Sequence, residues 1–235
     1  MTVKNNRSIG DRQILDAASN RGGIDMPSDS TQSMDKTADI VAISQLVLVE
    51  RESRDLALWK SMAECFYPDS RVHLSWINAS GPEFVTGSIN MAERGMKAKH
   101  RVGPPLVRLA GNRGVASFSA IIDIPATVKG VEVQLSSHAR FFYRVEKRDG
   151  RWGICFFDSI YMRDEIVAQI PGEQVAISPA EVSGYRKSYR MLCFLLSQTG
   201  YVPNQDLAGE DMPETVTTKL AEIYDWAGVT LDQRP

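Results

Sequence analysis

The chain has 235 residues, of which 43% are hydrophobic and 24% charged, a composition typical of a soluble globular protein with one full domain and smaller additions. Its 27 basic and 29 acidic residues give a net charge of -2, so it lacks the positive field that would hold a nucleic acid or an anionic membrane. The most apolar stretch, residues 40–49, is too short to cross a bilayer, and the N-terminal segment lacks the apolar run of a secretory signal.

The cysteines also bear on the compartment. Cys65, Cys155 and Cys193 are odd in number and widely separated, which favours free thiols over a disulfide framework. Without a signal or a membrane span, these residues predict a cytoplasmic protein.

Composition along the chain divides it into three segments. Residues 1–37 are rich in Asn, Ser, Asp, Gly and Thr and carry few apolar side chains, so we expect a mobile or loosely docked arm. Residues 38–170 have the periodic patterns of a folded domain. Residues 171–235 are expected to form a C-terminal helical extension.

The main domain is predicted to begin with helices. Apolar residues recur every three or four positions over 38–66, which indicates one long helix or two consecutive helices. Pro68 and the Asp-Ser pair after it end this region. A short strand is expected over 71–77, and a helix over 88–97 with Ser88 as its N-cap.

The second half of the main domain is rich in β-branched and aromatic residues. Four strands are predicted, at residues 99–109, 114–126, 131–147 and 151–161. Residues 111–114 and 148–151 carry the Asn, Asp and Gly of hairpin turns. Helices followed by an antiparallel meander predict an α+β fold with the helices on one face of the sheet.

The extension has clear helix signals. Ser178, Pro179 and Glu181 have the pattern of a capped helix start, and this helix should end near Gly200. A last helix is expected over 213–226, with a glycine just past its end. Because these helices carry more apolar surface than a free tail can leave in water, they should cover the mouth of the main domain or an adjoining subunit.

His100 is the first candidate for chemistry. It lies between a lysine and an arginine on a predicted strand, so strand alternation turns its imidazole inward. Glu52 or Asp55 on the first helix could supply the carboxylate that a buried imidazole needs. Such a pair suits proton abstraction, because the carboxylate fixes the tautomer and stabilises the imidazolium. The alternative is a core histidine with an ordinary hydrogen bond.

Two further polar residues have open interpretations. Asp123 follows a strand face of small and polar residues, which predicts either a carboxylate in a site or one that faces water. Arg163 shares a strand face with Tyr161 and could bind a carboxylate or phenolate oxygen, pair with a carboxylate of the protein, or lie on the surface.

The sequence lacks the motifs of nucleotide-binding sites, of the usual hydrolase sites and of metal sites. The chain has no glycine-rich phosphate loop, Gly-x-Ser-x-Gly elbow or His-Glu-x-x-His motif, which disfavours nucleotide binding and the usual hydrolases. His73, His100 and His138 lack the local spacing of metal ligands. We therefore expect no metal and no cofactor.

Four motifs carry a family resemblance, which covers residues 38–168. In their order and separation they resemble the SnoaL-like branch of the NTF2-like superfamily, the type of scytalone dehydratase, ketosteroid isomerase and bile acid 7α-dehydratase. The resemblance implies an α+β cone, a curved antiparallel sheet wrapped around the N-terminal helices, with the C-terminal helices added as a hairpin. The motifs are Glu-Ser-Arg-Asp at 52–55, Phe-Tyr-Pro-Asp-Ser-Arg-Val at 66–72, Met-Lys-Ala-Lys-His at 96–100 and Arg-Asp-Gly-Arg-Trp at 148–152.

The resemblance also implies roles for single residues. It places His100 at the position of the catalytic base and Glu52 at that of the dyad acid, and it matches Asp123 and Arg163 to polar pocket residues of the bile acid dehydratase type. The acid of these enzymes is usually Asp, so Glu52, one methylene longer, departs from the pattern.

Other departures concern the leaving group. The tyrosines and the second histidine of the dehydratases are absent, because Val47, Leu74 and Ala126 stand near their places. Leaving-group activation is therefore open, and its candidates are Tyr143, Tyr161 and Arg163.

Together these observations predict a cofactor-independent lyase in which His100, paired with Glu52, removes a proton from a small hydrophobic cyclic or aromatic substrate. An isomerase or a retro-aldol C–C lyase with the same base is an alternative, as is a non-catalytic ligand-binding or assembly module. We expect a homo-oligomer, a dimer or trimer. Aromatic side chains would form the pocket walls, namely Trp59, Phe66, Trp76, Phe118, Phe141, Tyr143 and Tyr161.

Overall fold

The structure, a computed structural model, describes residues 34–230, so most of the predicted N-terminal arm lies outside the described residues. The helices are α1 (Met34–Leu56), α2 (Trp59–Glu64), α3 (Gly81–Glu93), α4 (Pro179–Val182), α5 (Arg190–Gln198) and α6 (Pro213–Ala227), with a short 3-10 helix at Lys187–Tyr189. The strands are β1 (Phe66–Leu74), β2 (Ile77–Ser80), β3 (Lys99–Val102), β4 (Leu106–Ala110), β5 (Arg113–Val128), β6 (Val131–Arg148) and β7 (Arg151–Ala168).

The strands within this range form one curved, open sheet in the order β2-β1-β7-β6-β5-β3, with β4 also paired to β5. The three longest strands are joined by tight turns in which Lys129, Gly130, Asp149 and Gly150 have positive φ, the geometry that favours hairpins. The predicted α+β fold is confirmed. One feature differs, since β1 pairs with β7 in parallel, a contact between segments too distant in the chain for local patterns to indicate.

The two faces of the sheet carry separate apolar clusters. We define the inner face as the one that bears Phe141 and Phe157, where α1, α3 and α5 pack. On the outer face Phe142 packs against Tyr224 of α6. The predicted C-terminal hairpin is therefore wrong, because α5 and α6 lie on opposite faces. Strand alternation gives each face its own apolar row, and each helix packs on one of them.

The first two helices match one of the two predicted arrangements, whereas the third differs from the prediction. The region 38–66 contains two helices, α1 and α2, separated near Ala57, which has a φ of 60°. The helix predicted over 88–97 is instead α3, and Ser88 is buried within it rather than capping it. The cap is Ser80, which forms a capping box with Glu83.

Two other segments are interrupted. The strand predicted over 99–109 is split into β3 and β4 around Pro104 and Pro105, which have no N–H for a ladder. The helix predicted from Ser178 to Gly200 starts with the predicted capping box but breaks between α4 and α5. The last helix agrees with the prediction and ends at Gly228, which has a φ of 66°.

The structure also bears on the predictions about disulfide bonds and membrane-spanning helices. The three cysteines are buried free thiols, as predicted. None of the helices within residues 34–230 combines the length and the apolar character needed to cross a membrane.

A close contact between β1 and β7 provides a test of the packing. A Cβ added to Gly153 would lie 2.5 Å from the Tyr67 ring, and the Tyr67 hydroxyl donates to the carbonyl of Arg151 at 2.7 Å. Gly153→Ala should therefore lower the free energy of unfolding, measured in urea, by about 1–3 kcal/mol. Gly184→Ala, in open space, is the matched control and should change it by less than about 0.5 kcal/mol. Equal stability of the two variants would contradict this packing.

Candidate functional site

A cavity lies on the inner face, between the sheet, α1, α3 and α5. Its empty volume, about 490 Å³ including space open to solvent, is in the range of sites for small ligands. Two leucines of α5 line it, so of the two main C-terminal helices α5 covers the cavity, whereas α6 packs on the outer face. The wall includes Arg51, Arg54, Ser75, Trp76, Phe84, Met91, Met96, His100, Ile122, Ile124, Phe141, Tyr161, Leu192 and Leu196.

His100 of β3 and Asp55 at the end of α1 form a hydrogen-bonded pair beside this cavity. Nδ1 of the imidazole lies 2.6 Å from Oδ1 of Asp55, and the backbone N–H of His100 donates to Oδ2 of the same carboxylate at 2.7 Å. Because an ionised carboxylate only accepts, Nδ1 carries the proton and Nε2 carries the lone pair, which faces the Nη1 donor of Arg51. The ring is thus fixed in one tautomer and one orientation.

The surroundings of this pair favour a neutral imidazole. Burial lowers the pKa of His100 below its usual 6.5, and the positive charge of Arg51 lowers it further, against the opposing effect of Asp55. Burial acts to raise the pKa of Asp55, but the hydrogen bonds from His100 outweigh it and bring the pKa below its usual value. At neutral pH a neutral base therefore lies against an ionised carboxylate.

Arg51 places a fixed positive charge next to the base. Its Nη1 lies 3.4 Å from Nε2 of His100, and its guanidinium forms an ion pair with the buried Glu50. The Tyr143 hydroxyl donates to Glu50 at 2.9 Å, and the guanidinium lies 4.9 Å from the centroid of the Phe157 ring. Burial raises the pKa of Tyr143 well above 10, so the phenol keeps its proton. The ion pair with Glu50 and the Phe157 ring thus fix the position of the Arg51 guanidinium.

Arg54, one turn after Arg51, is the second buried cation of the cavity wall. Its side chain contacts Met91, with Nη2 3.4 Å from the sulfur, and lies 5.9 Å from the centroid of the Trp59 ring. Burial lowers the pKa of Arg54 to about 10, and the charge of Arg51 acts in the same direction. The guanidinium remains charged at neutral pH.

The structure corrects the predicted partner of His100. The inward orientation of the imidazole is confirmed, but Glu52 is exposed and makes no hydrogen bond or ion pair with it. Arg51 and Asp55 are four residues apart and lie only about 40° apart around the axis of α1. Glu52 lies about 100° from Arg51, which is about 60° beyond Asp55 and further from the cavity side of the helix. The prediction of Glu52 as the dyad acid is wrong, and Asp55, its alternative, occupies that place.

Two other predicted pocket residues lie outside the cavity. Asp123 is flanked by Ile122 and Ile124, which line the cavity, so its carboxylate lies on the outer face and accepts from Arg101 at 2.5 Å. Arg163 is 61% exposed, and its nearest carboxylate is that of Glu165, at 3.6 Å. Asp123 therefore lies outside the site in an ion pair with Arg101, and Arg163 combines two of its alternatives, a surface position and a carboxylate partner in the protein.

The predicted aromatic walls divide into two groups. Trp76, Phe141 and Tyr161 line the cavity. The others lie in the core or beside the cavity wall, where they support the residues in front of them. This second group is Trp59 near Arg54, Phe66 against Phe84, Phe118 against Phe141, and Tyr143 stacked on Phe157.

Sequence reasoning missed the two arginines of the cavity, although a signal for them exists. Ile43 and Val47 are buried on α1, and the same side of the helix continues four residues later at Arg51 and seven residues later at Arg54. Charged residues that continue a buried stripe are expected to be buried as well. Their spacing therefore indicated a polar site at the end of α1.

The remaining histidines are not part of the cavity wall. His73 lies 3.6 Å from a carboxylate oxygen of Asp206, and His138 lies 3.9 Å from one of Glu165. Within residues 34–230, no three His, Cys, Asp or Glu side chains are arranged to hold a metal ion.

Comparison with known families gives one match, to the SnoaL-like domain, over residues 35–158. Two similar curated proteins are fungal. An uncharacterised protein of Emericella nidulans is 27% identical over 165 residues, which cover 66% of this chain and 69% of that protein. Pea pathogenicity protein 2 of Fusarium vanettenii is 23% identical over 164 residues, 66% of this chain and 70% of its own length.

Among solved structures, a type 2 hexachlorocyclohexane dehydrochlorinase, LinA, has the same fold. It is 18% identical, with a TM-score of 0.50, and the match covers 61% of this chain and 98% of that one. At this identity the similarity concerns the architecture of the sheet and helices.

The hydrogen bond between His100 and Asp55 predicts the protonation state of the imidazole. In ¹⁵N NMR spectra at pH 6.5, His100 should be mostly neutral with its proton on Nδ1, because burial lowers its pKa below this value. Asp55→Asn removes the charge that raises the pKa of His100, so the midpoint should move to still lower pH. Replacement of each histidine by Gln assigns the signals. An imidazolium at pH 6.5, or a proton on Nε2, would contradict the geometry.

Proposed function

We propose that this chain, which belongs to the SnoaL-like family, is a cofactor-independent lyase that removes a proton from a small cyclic or aromatic substrate and eliminates water or another small group. The family includes dehydratases, isomerases and dehydrochlorinases. The observation that supports the proposal is a neutral imidazole in the cavity wall, whose Nδ1 is held by Asp55 and whose Nε2 carries the lone pair, with Nη1 of Arg51 at 3.4 Å.

The chemistry follows from that arrangement. Nε2 of His100 takes a proton from a substrate carbon, and the electrons of the C–H bond form a C=C bond as an oxygen leaves the neighbouring carbon. Asp55 stabilises the imidazolium that forms. Arg51 stabilises negative charge that develops on a carbonyl oxygen of the substrate. The imidazolium then returns its proton to the departing hydroxide, which leaves as water and restores the neutral base.

Tyr161 is the best candidate to assist the leaving group. Its ring lines the cavity, its oxygen accepts from the backbone N–H of Ser75 at 3.1 Å, and burial raises its pKa. The phenol therefore keeps its proton and can donate a hydrogen bond to the leaving oxygen, while the imidazolium supplies the proton that is transferred. The two other candidates are less suitable. The hydroxyl of Tyr143 is already bonded to Glu50, and Arg163 is on the surface.

An isomerase is the second candidate, and one observation favours it. Among the described residues, His100 is the one imidazole in the cavity wall. A single base that returns the abstracted proton to another carbon moves a double bond and needs no leaving group. The two reactions are separated by their products, since elimination releases water and isomerisation conserves the mass of the substrate.

The proposal is tested with a panel of small cyclic and aromatic β-hydroxy carbonyl compounds in D₂O. NMR detects both deuterium uptake at the acidic carbon and the unsaturated product. His100→Gln should reduce the rate on an accepted compound on the order of 100-fold or more, because it removes the proton acceptor. Asp55→Asn should reduce it less, because the imidazole remains but loses its orientation and the support of its cationic form.

Glu52→Gln is the matched control for Asp55→Asn, since the exposed Glu52 precedes Asp55 by less than one helical turn. It should leave the rate within about twofold of the unmodified protein. A folded His100→Gln variant with a normal rate, or a Glu52→Gln variant as impaired as Asp55→Asn, would contradict the mechanism.

A further inference from the structure

Arg54 differs from the other buried arginines of the described residues. Arg51 forms an ion pair with Glu50, and Arg144 forms one with Asp158. Arg54 is 6% exposed, yet it has no ion pair with any carboxylate among residues 34–230, and its hydrogen-bond partner in that range is the sulfur of Met91. A guanidinium with five donors therefore faces the cavity with one weak acceptor.

Burial of a guanidinium without a carboxylate partner lowers the stability of the folded protein. A buried cation without a counter-charge loses its hydration and gains no ion pair in return. The lowered pKa of Arg54 reflects this loss, together with repulsion from Arg51. Asp55 and Glu50 act against that shift without reversing it. A ligand carboxylate within reach of Arg54 would supply the direct acceptor that this guanidinium lacks.

We propose that Arg54 is a substrate-binding residue that pairs with the carboxylate of a small cyclic or aromatic acid. This inference rests on the proposed function, because it takes the same cavity as the substrate site. The carboxylate is an anchor at Arg54, separate from the carbon that His100 deprotonates.

The chemistry of the cavity favours a carboxylate over other anions. The planar fork of Arg54 matches the two oxygens of a carboxylate, and one unpaired cation corresponds to one negative charge. A phosphate dianion would need further donors, whereas the rest of the wall is mostly apolar, as at Ile122, Ile124 and Leu196. A phenolate offers one oxygen and is mostly protonated at neutral pH.

Binding of two ring compounds of equal shape tests this inference. In calorimetry at pH 7 with the full chain, benzoate should bind at least about tenfold more tightly than benzamide, its neutral counterpart. Arg54→Gln should remove this preference, and Arg54→Lys should retain part of it. Arg163→Gln, on the surface, is the control and should keep the full preference. Equal affinities in the unmodified protein, or a preference that survives Arg54→Gln, would overturn the proposal.

Stability without ligand gives a second, independent measurement. Arg54→Met removes an unpaired buried charge, so the Tm should stay the same or rise. Arg51→Met is the matched comparison and should lower the Tm, because it leaves the carboxylate of Glu50 buried without its partner. If Arg54→Met lowers the Tm as much as Arg51→Met, Arg54 is a structural residue and the proposal is wrong.

The same experiment separates this inference from the proposed lyase. His100→Gln should keep the preference for benzoate, because His100 is the base and not the anchor. If the preference depends on Arg54 but no panel compound is deprotonated, the anion site stands and the lyase proposal fails. If His100 is essential for turnover but Arg54→Gln binds and converts carboxylate substrates normally, the lyase stands and the anion site is wrong.

Discussion

The hydrogen bond between Asp55 and His100 joins the end of α1 to an edge strand of the sheet, and the chemistry of the cavity depends on it. It fixes the imidazole tautomer, directs Nε2 away from the carboxylate and keeps a negative charge beside the base. Without it, the buried ring would have no partner for its second nitrogen. The second bond to Asp55, from the backbone N–H of His100, ties the position of the strand to the same carboxylate.

Three further charged side chains at the end of α1 are buried next to Asp55, and each needs a partner of opposite charge. Glu50, Arg51, Arg54 and Asp55 contribute two negative and two positive charges, so the cluster is neutral as a whole although its pairing is uneven. Glu50 and Arg51 satisfy each other and Asp55 is bonded to His100, which leaves Arg54 without a direct partner. The lack of a direct carboxylate partner, rather than the net charge of the cluster, is what identifies Arg54 as the proposed position for a ligand carboxylate.

The C-terminal segment completes this site instead of forming a separate unit. Leu192 and Leu196 of α5 close the inner face over the cavity, while α6 packs on the opposite face of the sheet. The N–H of Leu192 donates to the half-buried carboxylate of Asp164 on β7 at 2.7 Å, which fixes the start of α5 to the sheet. The apolar side chains of Leu192 and Leu196 lower the local dielectric constant, which strengthens the electrostatic interactions of His100 and of both arginines.

Local patterns in the sequence determined the α+β class, the long hairpin strands, the helix caps at Ser178 and Gly228 and the inward orientation of His100, because each depends on neighbours within a few residues. The family resemblance added the cone. The choice of Asp55 over Glu52 required the tertiary structure, since it depends on how α1 is rotated against β3. The same holds for Asp123 and Arg163, whose side of the sheet follows from register and bulges, and for the opposite placement of α5 and α6. Pairing across the fold decides which carboxylate reaches which cation, and no local period of the sequence contains that information.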